Sequence, residues 1–147
     1  MVAAFADDRQ LRQNLLQSVT VMLKFYGWQG VVSEAEELSI KPSSDRQARE
    51  SEWICPFDHN YLRITRILKC LMVFGLKQPA LAFYACLEQV YRERSDLIGG
   101  ETFGYWKNAV RVLSDVGWHC CENTIDCWLK IRVIIGWMLK LRRSMRV

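Results

Sequence analysis

The sequence predicts an all-α fold: a single-domain helical bundle of four main helices plus a basic amphipathic C-terminal helix. Three observations carry that prediction. Apolar residues recur at three- and four-residue steps, glycines stand at the ends of those segments, and no segment sustains the strict alternation of a half-buried strand. The chain has 147 residues, 50% of them hydrophobic, with 8 Gly and 3 Pro. That length suits one domain of roughly 100–200 residues. The apolar fraction and the few Gly and Pro exclude disordered and collagen-like classes.

The first helix is expected over residues 8–26. Leu11, Leu15, Val19, Met22, Leu23 and Tyr26 share a period near 3.6, Asp7 or Asp8 can cap its start, and Gly27 can take the left-handed position after its end. Residues 33–51 are polar and contain Pro42-Ser43-Ser44, so they read as a connecting loop with at most one short helical turn. A second helix, over 59–74, carries Leu62, Ile64, Ile67, Leu68, Leu71 and Phe74. Asp58 or Asn60 can cap it, and Gly75 ends it. The third, over 79–94, opens on Pro79, whose fixed φ and missing N–H suit a first helical turn. Its apolar set is Leu81, Phe83, Tyr84, Leu87, Val90 and Tyr91. After Gly99-Gly100, Thr102 opens a fourth helix through Tyr105, Trp106, Val110, Leu113 and Val116, ended by Gly117.

The formal charge is +4, from 20 basic and 16 acidic residues. Lys130, Arg132, Lys140, Arg142, Arg143 and Arg146 fall within residues 128–147, which hold no acid, so the preceding chain is slightly acidic. Such a mild, localised charge makes a nucleic-acid partner unexpected. The N-terminus lacks the basic and apolar regions of a secretory signal. No stretch reaches the ~18 apolar residues of a membrane span; the nearest, 131–141, is broken by Arg132 and Lys140. The expectation is an intracellular protein, cytoplasmic or nuclear and at most peripheral to a membrane. Its six cysteines are then reduced thiols. With no C-x-x-C pair, neither a zinc site nor another metal or cofactor is expected.

Residues 58–71 run Asp-His-Asn-Tyr-Leu-Arg-Ile-Thr-Arg-Ile-Leu-Lys-Cys-Leu. This segment resembles the H-N-x-L-R-I-T-R-I-L-x-S-L signature of the opioid growth factor receptor conserved-region family. Upstream, Phe5, Asp8, Leu11-Arg12, Leu15 and Met22-Leu23-Lys24-Phe25-Tyr26-Gly27 resemble that family's first helix. Downstream, Gly75-Leu76, Phe83-Tyr84 and Tyr105-Trp106 resemble its next elements. The resemblance covers about residues 5–112, and the conserved region is placed at 5–117, with 118–147 as the separate basic helix. The family's region usually begins with a segment bearing E-x-x-H and W-L-F-P motifs. No counterpart to it precedes Met1, and Trp53-Ile54-Cys55-Pro56 lies in the wrong place for it. The chain thus resembles a partial or divergent member. The resemblance implies a non-enzymatic, receptor-like domain that binds a peptide or protein ligand. The founding animal member is described as an enkephalin receptor of nuclear and perinuclear membranes, unlike the seven-helix opioid receptors.

His59, Arg63 and Arg66 stand at i, i+4 and i+7, on one helical face. With Asn60 they can grip a carboxylate or phosphate, and Tyr26 and Trp28 are expected walls for an apolar group. The competing structural role pairs Arg63 and Arg66 with Glu34, Glu36 or Glu37. A small enzyme with a pocket near His59 is the alternative from another class. Glu50, Glu52 and Asp58 are its conceivable acids and bases, although no P-loop, H-E-x-x-H or G-x-S-x-G pattern is present. His119, Cys120, Cys121 and Cys127 read as buried small side chains, since adjacent cysteines point to different helix faces. In the C-terminal helix, Ile131, Val133, Ile134, Trp137, Met138, Leu141 and Met145 project within about 160°. Arg132, Lys140, Arg142, Arg143 and Arg146 lie opposite. That pattern fits a lid on the bundle core, or an adaptor tethered to an anionic membrane surface or a partner's groove.

Overall fold

The computed structural model describes residues 8–115. Its first helix, α1 (Arg9–Phe25), is capped by Asp8, whose side chain accepts from the Leu11 N–H at 3.1 Å. Leu15, Leu16, Val19, Met22 and Leu23 form its buried stripe. The helix stops at Tyr26, and Gly27 follows at φ +92°. A Cβ there would lie 3.0 Å from the Cα of Arg46, so the glycine serves both the turn and the close passage of a later helix.

Two antiparallel strands come next, β1 (Trp28–Val32) and β2 (Leu38–Pro42), paired Trp28↔Pro42 through Val32↔Leu38. The turn between them closes through Ser33, which donates its N–H to the Glu37 carbonyl and accepts the Glu37 N–H on its hydroxyl. An eight-residue helix, α2 (Arg46–Trp53), completes the segment. The loop expected over 33–51 is therefore corrected. Both strands do alternate in burial, with Trp28, Gly30 and Val32 turned inward on one and Leu38 and Ile40 on the other. Each runs for only five residues and β1 is interrupted by Gly30, so the period-2 signal is too short to separate from noise. Helix α2 buries only Glu50 and Trp53, which leaves no 3.6-residue stripe to find.

Helix α3 (His59–Val73) starts where expected, with the Asp58 carboxylate accepting from the Asn60 N–H at 2.6 Å. Helix α4 (Lys77–Ile98) extends the predicted 79–94 at both ends and kinks at Arg94 (φ −137°, ψ 36°). Helix α5 (Gly100–Asp115) begins two residues before Thr102. The described residues thus hold five helices and a hairpin, mostly helical rather than all-α. In the packing, α3 lies against α5 and α4, α4 also meets α5 and β2, and α1 backs the hairpin. One contiguous core unites them, with Tyr26, Trp28, Trp53, Tyr61, Phe83 and Trp106 at its centre. The predicted C-terminal helix, with Arg132, Trp137, Lys140, Arg142, Arg143 and Arg146, lies outside the described residues, as does the His119, Cys120, Cys121 and Cys127 group.

Candidate recognition face

The start of α3 and the turn before it gather most of the sequence-predicted residues, at three different depths. Tyr26 and Trp28 lie deepest, 0% and 2% exposed, so they are core residues and not walls of an accessible site. Tyr26 meets Trp53 edge-to-face at 5.1 Å, and Trp53 meets Tyr61 at 6.4 Å. These offset arrangements suit the ring quadrupoles. The Trp53 indole donates to the Tyr26 carbonyl at 3.3 Å, and the Trp106 indole donates to the Tyr61 carbonyl at 3.1 Å. Both phenol hydroxyls are buried without a hydrogen-bond partner. Burial is the main cause that pushes both phenols above their ordinary pKa, Tyr61 to about 12. For Tyr26 the Arg63 guanidinium opposes that rise, and Asp58 adds to it.

At intermediate depth, Asn60 is buried and accepts from Arg63 Nη1 at 3.1 Å. The Asp58 carboxylate that caps α3 also accepts from the Cys55 thiol at 3.5 Å. Desolvation, followed by this bond, raises the pKa of Cys55, the opposite of what an activated nucleophile requires. The hairpin acid Glu36 pairs with Arg12 of α1, and Glu50 pairs with Arg46 within α2 at 2.5 Å, so both acids are engaged. Among the described residues no group of three or more His, Cys, Asp or Glu could hold a metal ion.

The outermost layer holds the exposed side chains of α3. His59 and Arg66 are exposed, and so is Lys69. Leu62, grouped by its spacing with the other apolar residues of this helix, is 56% exposed. With 100° between successive helical residues, His59, Leu62, Arg66 and Lys69 fall within an arc of about 80°. No acidic residue occurs anywhere in α3. Among the described residues no carboxylate pairs with Arg66 or Lys69. Immediately before the helix stands Phe57, 98% exposed with its backbone at φ +62°. A bulky side chain in the left-handed region costs about 1 kcal/mol or more. Here that cost accompanies an aromatic ring held in water.

Phe57, Leu62 and Lys69 are the residues of this face that sequence periodicity missed. Phe57 had one signal, a lone aromatic residue in the polar turn between Pro56 and Asp58. For Leu62 the signal misled, because in the i±3 and i±4 pattern it is indistinguishable from the buried Ile64 and Ile67.

Residues 1–115 match the model of a family described as "Opioid growth factor receptor (OGFr) conserved region". No curated protein and no solved structure matches the chain. The matched range takes in the hairpin and α2 as well as the helices, so the whole described core falls within it.

Proposed function

Because the chain belongs to the opioid growth factor receptor conserved-region family, we propose that it is a non-enzymatic, receptor-like domain that binds a peptide or a short segment of a protein partner. The observation that carries this is Phe57, exposed, backbone-strained and two residues before the start of α3. Strain and an exposed aromatic ring are features that a purely structural turn tends to lose, and interface anchors are enriched in such side chains. The surrounding chemistry favours binding over turnover: the nearby acids are engaged in caps and ion pairs, and the nearest thiol is held protonated.

The contact face on this reading is Phe57, His59, Leu62 and Arg66, with Asn60 and Arg63 bracing it from beneath. An intracellular setting fits these features and is part of the same proposal. Among the described residues no helix is long and apolar enough to cross a membrane.

The family's name points to a peptide growth factor, so an enkephalin peptide is the first probe. In isothermal titration of the full chain, the free acid should bind more tightly than the C-terminal amide. Phe57→Ala and Arg66→Ala should each weaken binding at least fivefold while the melting temperature stays put. Wild-type affinity in both variants, or no binding at millimolar peptide, would overturn the reading.

A further inference from the structure

The order of side chains along α3 points to the class of partner: an acidic segment carrying one apolar anchor, laid lengthwise on the exposed face of the helix. This rests on the partner-binding reading above and deepens it. Phe57 stands two residues before α3 and Leu62 in its first turn, whereas Arg66 and Lys69 lie further along the helix. Apolar and cationic groups are therefore sorted along the helix axis. From Leu62, Arg66 lies about 6 Å and Lys69 about 10 Å further on, at 1.5 Å per residue.

Elsewhere among the described residues, Arg12, Arg46, Arg49 and Arg92 each have a carboxylate within ion-pair distance. Arg66 and Lys69 have none among the described residues, and α3 itself has no acid to offer them. Carboxylates at helical spacing of three or four residues, or two to three residues apart on an extended segment, would reach both cations at once. A single terminal carboxylate, as on a pentapeptide, engages one of them.

The same sorting speaks against a lipid surface. Membrane-lying helices bury a broad apolar face along their length and set the cations on the opposite side. On α3 the long apolar face, from Tyr61 through Ile64, Leu68 and Leu71, is already in the core. What remains outside is two apolar side chains at one end, enough to anchor a peptide and too little to insert into acyl chains.

The test uses the full 147-residue chain and two labelled 12-residue peptides followed by fluorescence anisotropy. One peptide carries glutamates at helical spacing and a single phenylalanine; in the other every glutamate is glutamine. The acidic peptide should bind at least tenfold more tightly than its neutral twin, and its advantage should shrink as salt is raised from 50 to 300 mM. Arg66→Glu with Lys69→Glu should remove at least tenfold, at an unchanged melting temperature. A third peptide with lysines in place of the glutamates should then prefer the reversed variant over the wild type. Unchanged affinity after reversal, or equal binding of acidic and neutral peptides, would overturn the proposal. So would phosphatidylserine vesicles captured through the same two residues in preference to the peptide. If Phe57→Ala with Leu62→Ala abolishes binding while charge reversal does nothing, the acidic partner falls and the partner-binding face stands. If neither pair of changes matters, both fall.

Discussion

Arg46 and Arg66 are twenty residues apart in one polypeptide, and their surroundings are opposite. Arg46 opens α2 beside the hairpin. It donates to Glu50 at 2.5 Å and to Glu93 of α4 at 3.0 Å, and its guanidinium lies 5.8 Å from the centre of the Trp28 ring. Glu50 is 5% exposed, so this arginine neutralises a buried charge and ties three elements together. Arg66 is exposed, with no carboxylate partner among the described residues and no acid on its helix. The same side chain is a structural fastening in one place and an exposed cation in the other, and the proposal that Arg66 meets a partner rests on that difference. The contrast can be tested by mutation.

The largest effect belongs to Arg46→Ala. Removing one partner of a buried pair leaves an uncompensated charge, which costs about 3–5 kcal/mol. Glu50 can protonate and Glu93 is partly solvated, so the lower end is expected, about 3 kcal/mol, or a melting temperature lower by roughly ten degrees. Arg46→Met combined with Glu50→Leu should recover at least half of that loss, because an apolar pair leaves no orphaned charge. Urea unfolding of the single and double variants reads both numbers. A double variant as unstable as the single one would mean that packing around Trp28, not charge, is what Arg46 contributes.

Next in size is Gly27→Ala, which attacks the same corner through the backbone. The left-handed φ of +92° would cost an alanine about 1–2 kcal/mol. Its Cβ would also press on the Arg46 Cα at 3.0 Å, an atom that cannot swing away. A loss of about 2–3 kcal/mol is expected. The matching change at Gly75 meets open space and should cost only the φ penalty, about 1 kcal/mol. Equal losses at the two glycines would show that α2 shifts to accommodate the methyl group.

What could be read from the sequence divides along the same line. The long helices were legible, because each buries a continuous stripe, as Leu15, Val19, Met22 and Leu23 do on α1. Their caps were legible too, since Asp8 and Asp58 sit directly before the first apolar residues. The hairpin and α2 were not. Their stability comes from contacts distant in sequence, such as Gln78 accepting the Leu38 N–H and Glu93 reaching Arg46, and local pattern carries no trace of these. Within the candidate face, Arg66 and His59 were placed on one side of α3 from spacing alone. Tyr26 and Trp28 were assigned to the face although they are buried, because an aromatic residue near a polar turn looks the same in sequence whether its ring points in or out. Only three-dimensional burial separates Leu62 from Ile64.

A smaller effect, of the opposite sign, is expected at the two orphaned phenols. Tyr26→Phe and Tyr61→Phe each remove a buried hydroxyl that has no partner. The desolvation cost of such a group is about 1–3 kcal/mol, so each variant should be neutral or more stable by up to about 1 kcal/mol. Alkaline pH gives an independent check. The folded state raises both pKa values, so it holds the phenolic protons more tightly than the unfolded chain does. Stability is complete below the unfolded value near pH 10 and falls as pH rises toward 12, because the unfolded state releases those protons first. The urea midpoint should therefore drop between pH 9.5 and 11.5 in the wild type, and drop less in the double phenylalanine variant. A wild-type midpoint that does not move over this range would mean that the phenols are solvated.

The smallest effect on stability is expected where the effect on binding is largest. Arg66→Ala and Lys69→Ala remove exposed side chains that meet no carboxylate among the described residues. Each should change unfolding free energy by less than about 0.5 kcal/mol, the usual range for surface positions without special contacts. Arg66→Glu goes further and adds a carboxylate to α3, three residues before Lys69 and three after Arg63. Pairs at that spacing are worth about 0.2–0.5 kcal/mol. The charge-reversed residue should therefore be as stable as the wild type or slightly more so, while the affinity for an acidic peptide falls. A side chain whose removal weakens binding and leaves the fold intact acts through a partner and not through the core. If Arg66→Ala instead costs more than 1 kcal/mol, Arg66 belongs with Arg46 among the structural fastenings, and the distinction between the two arginines disappears.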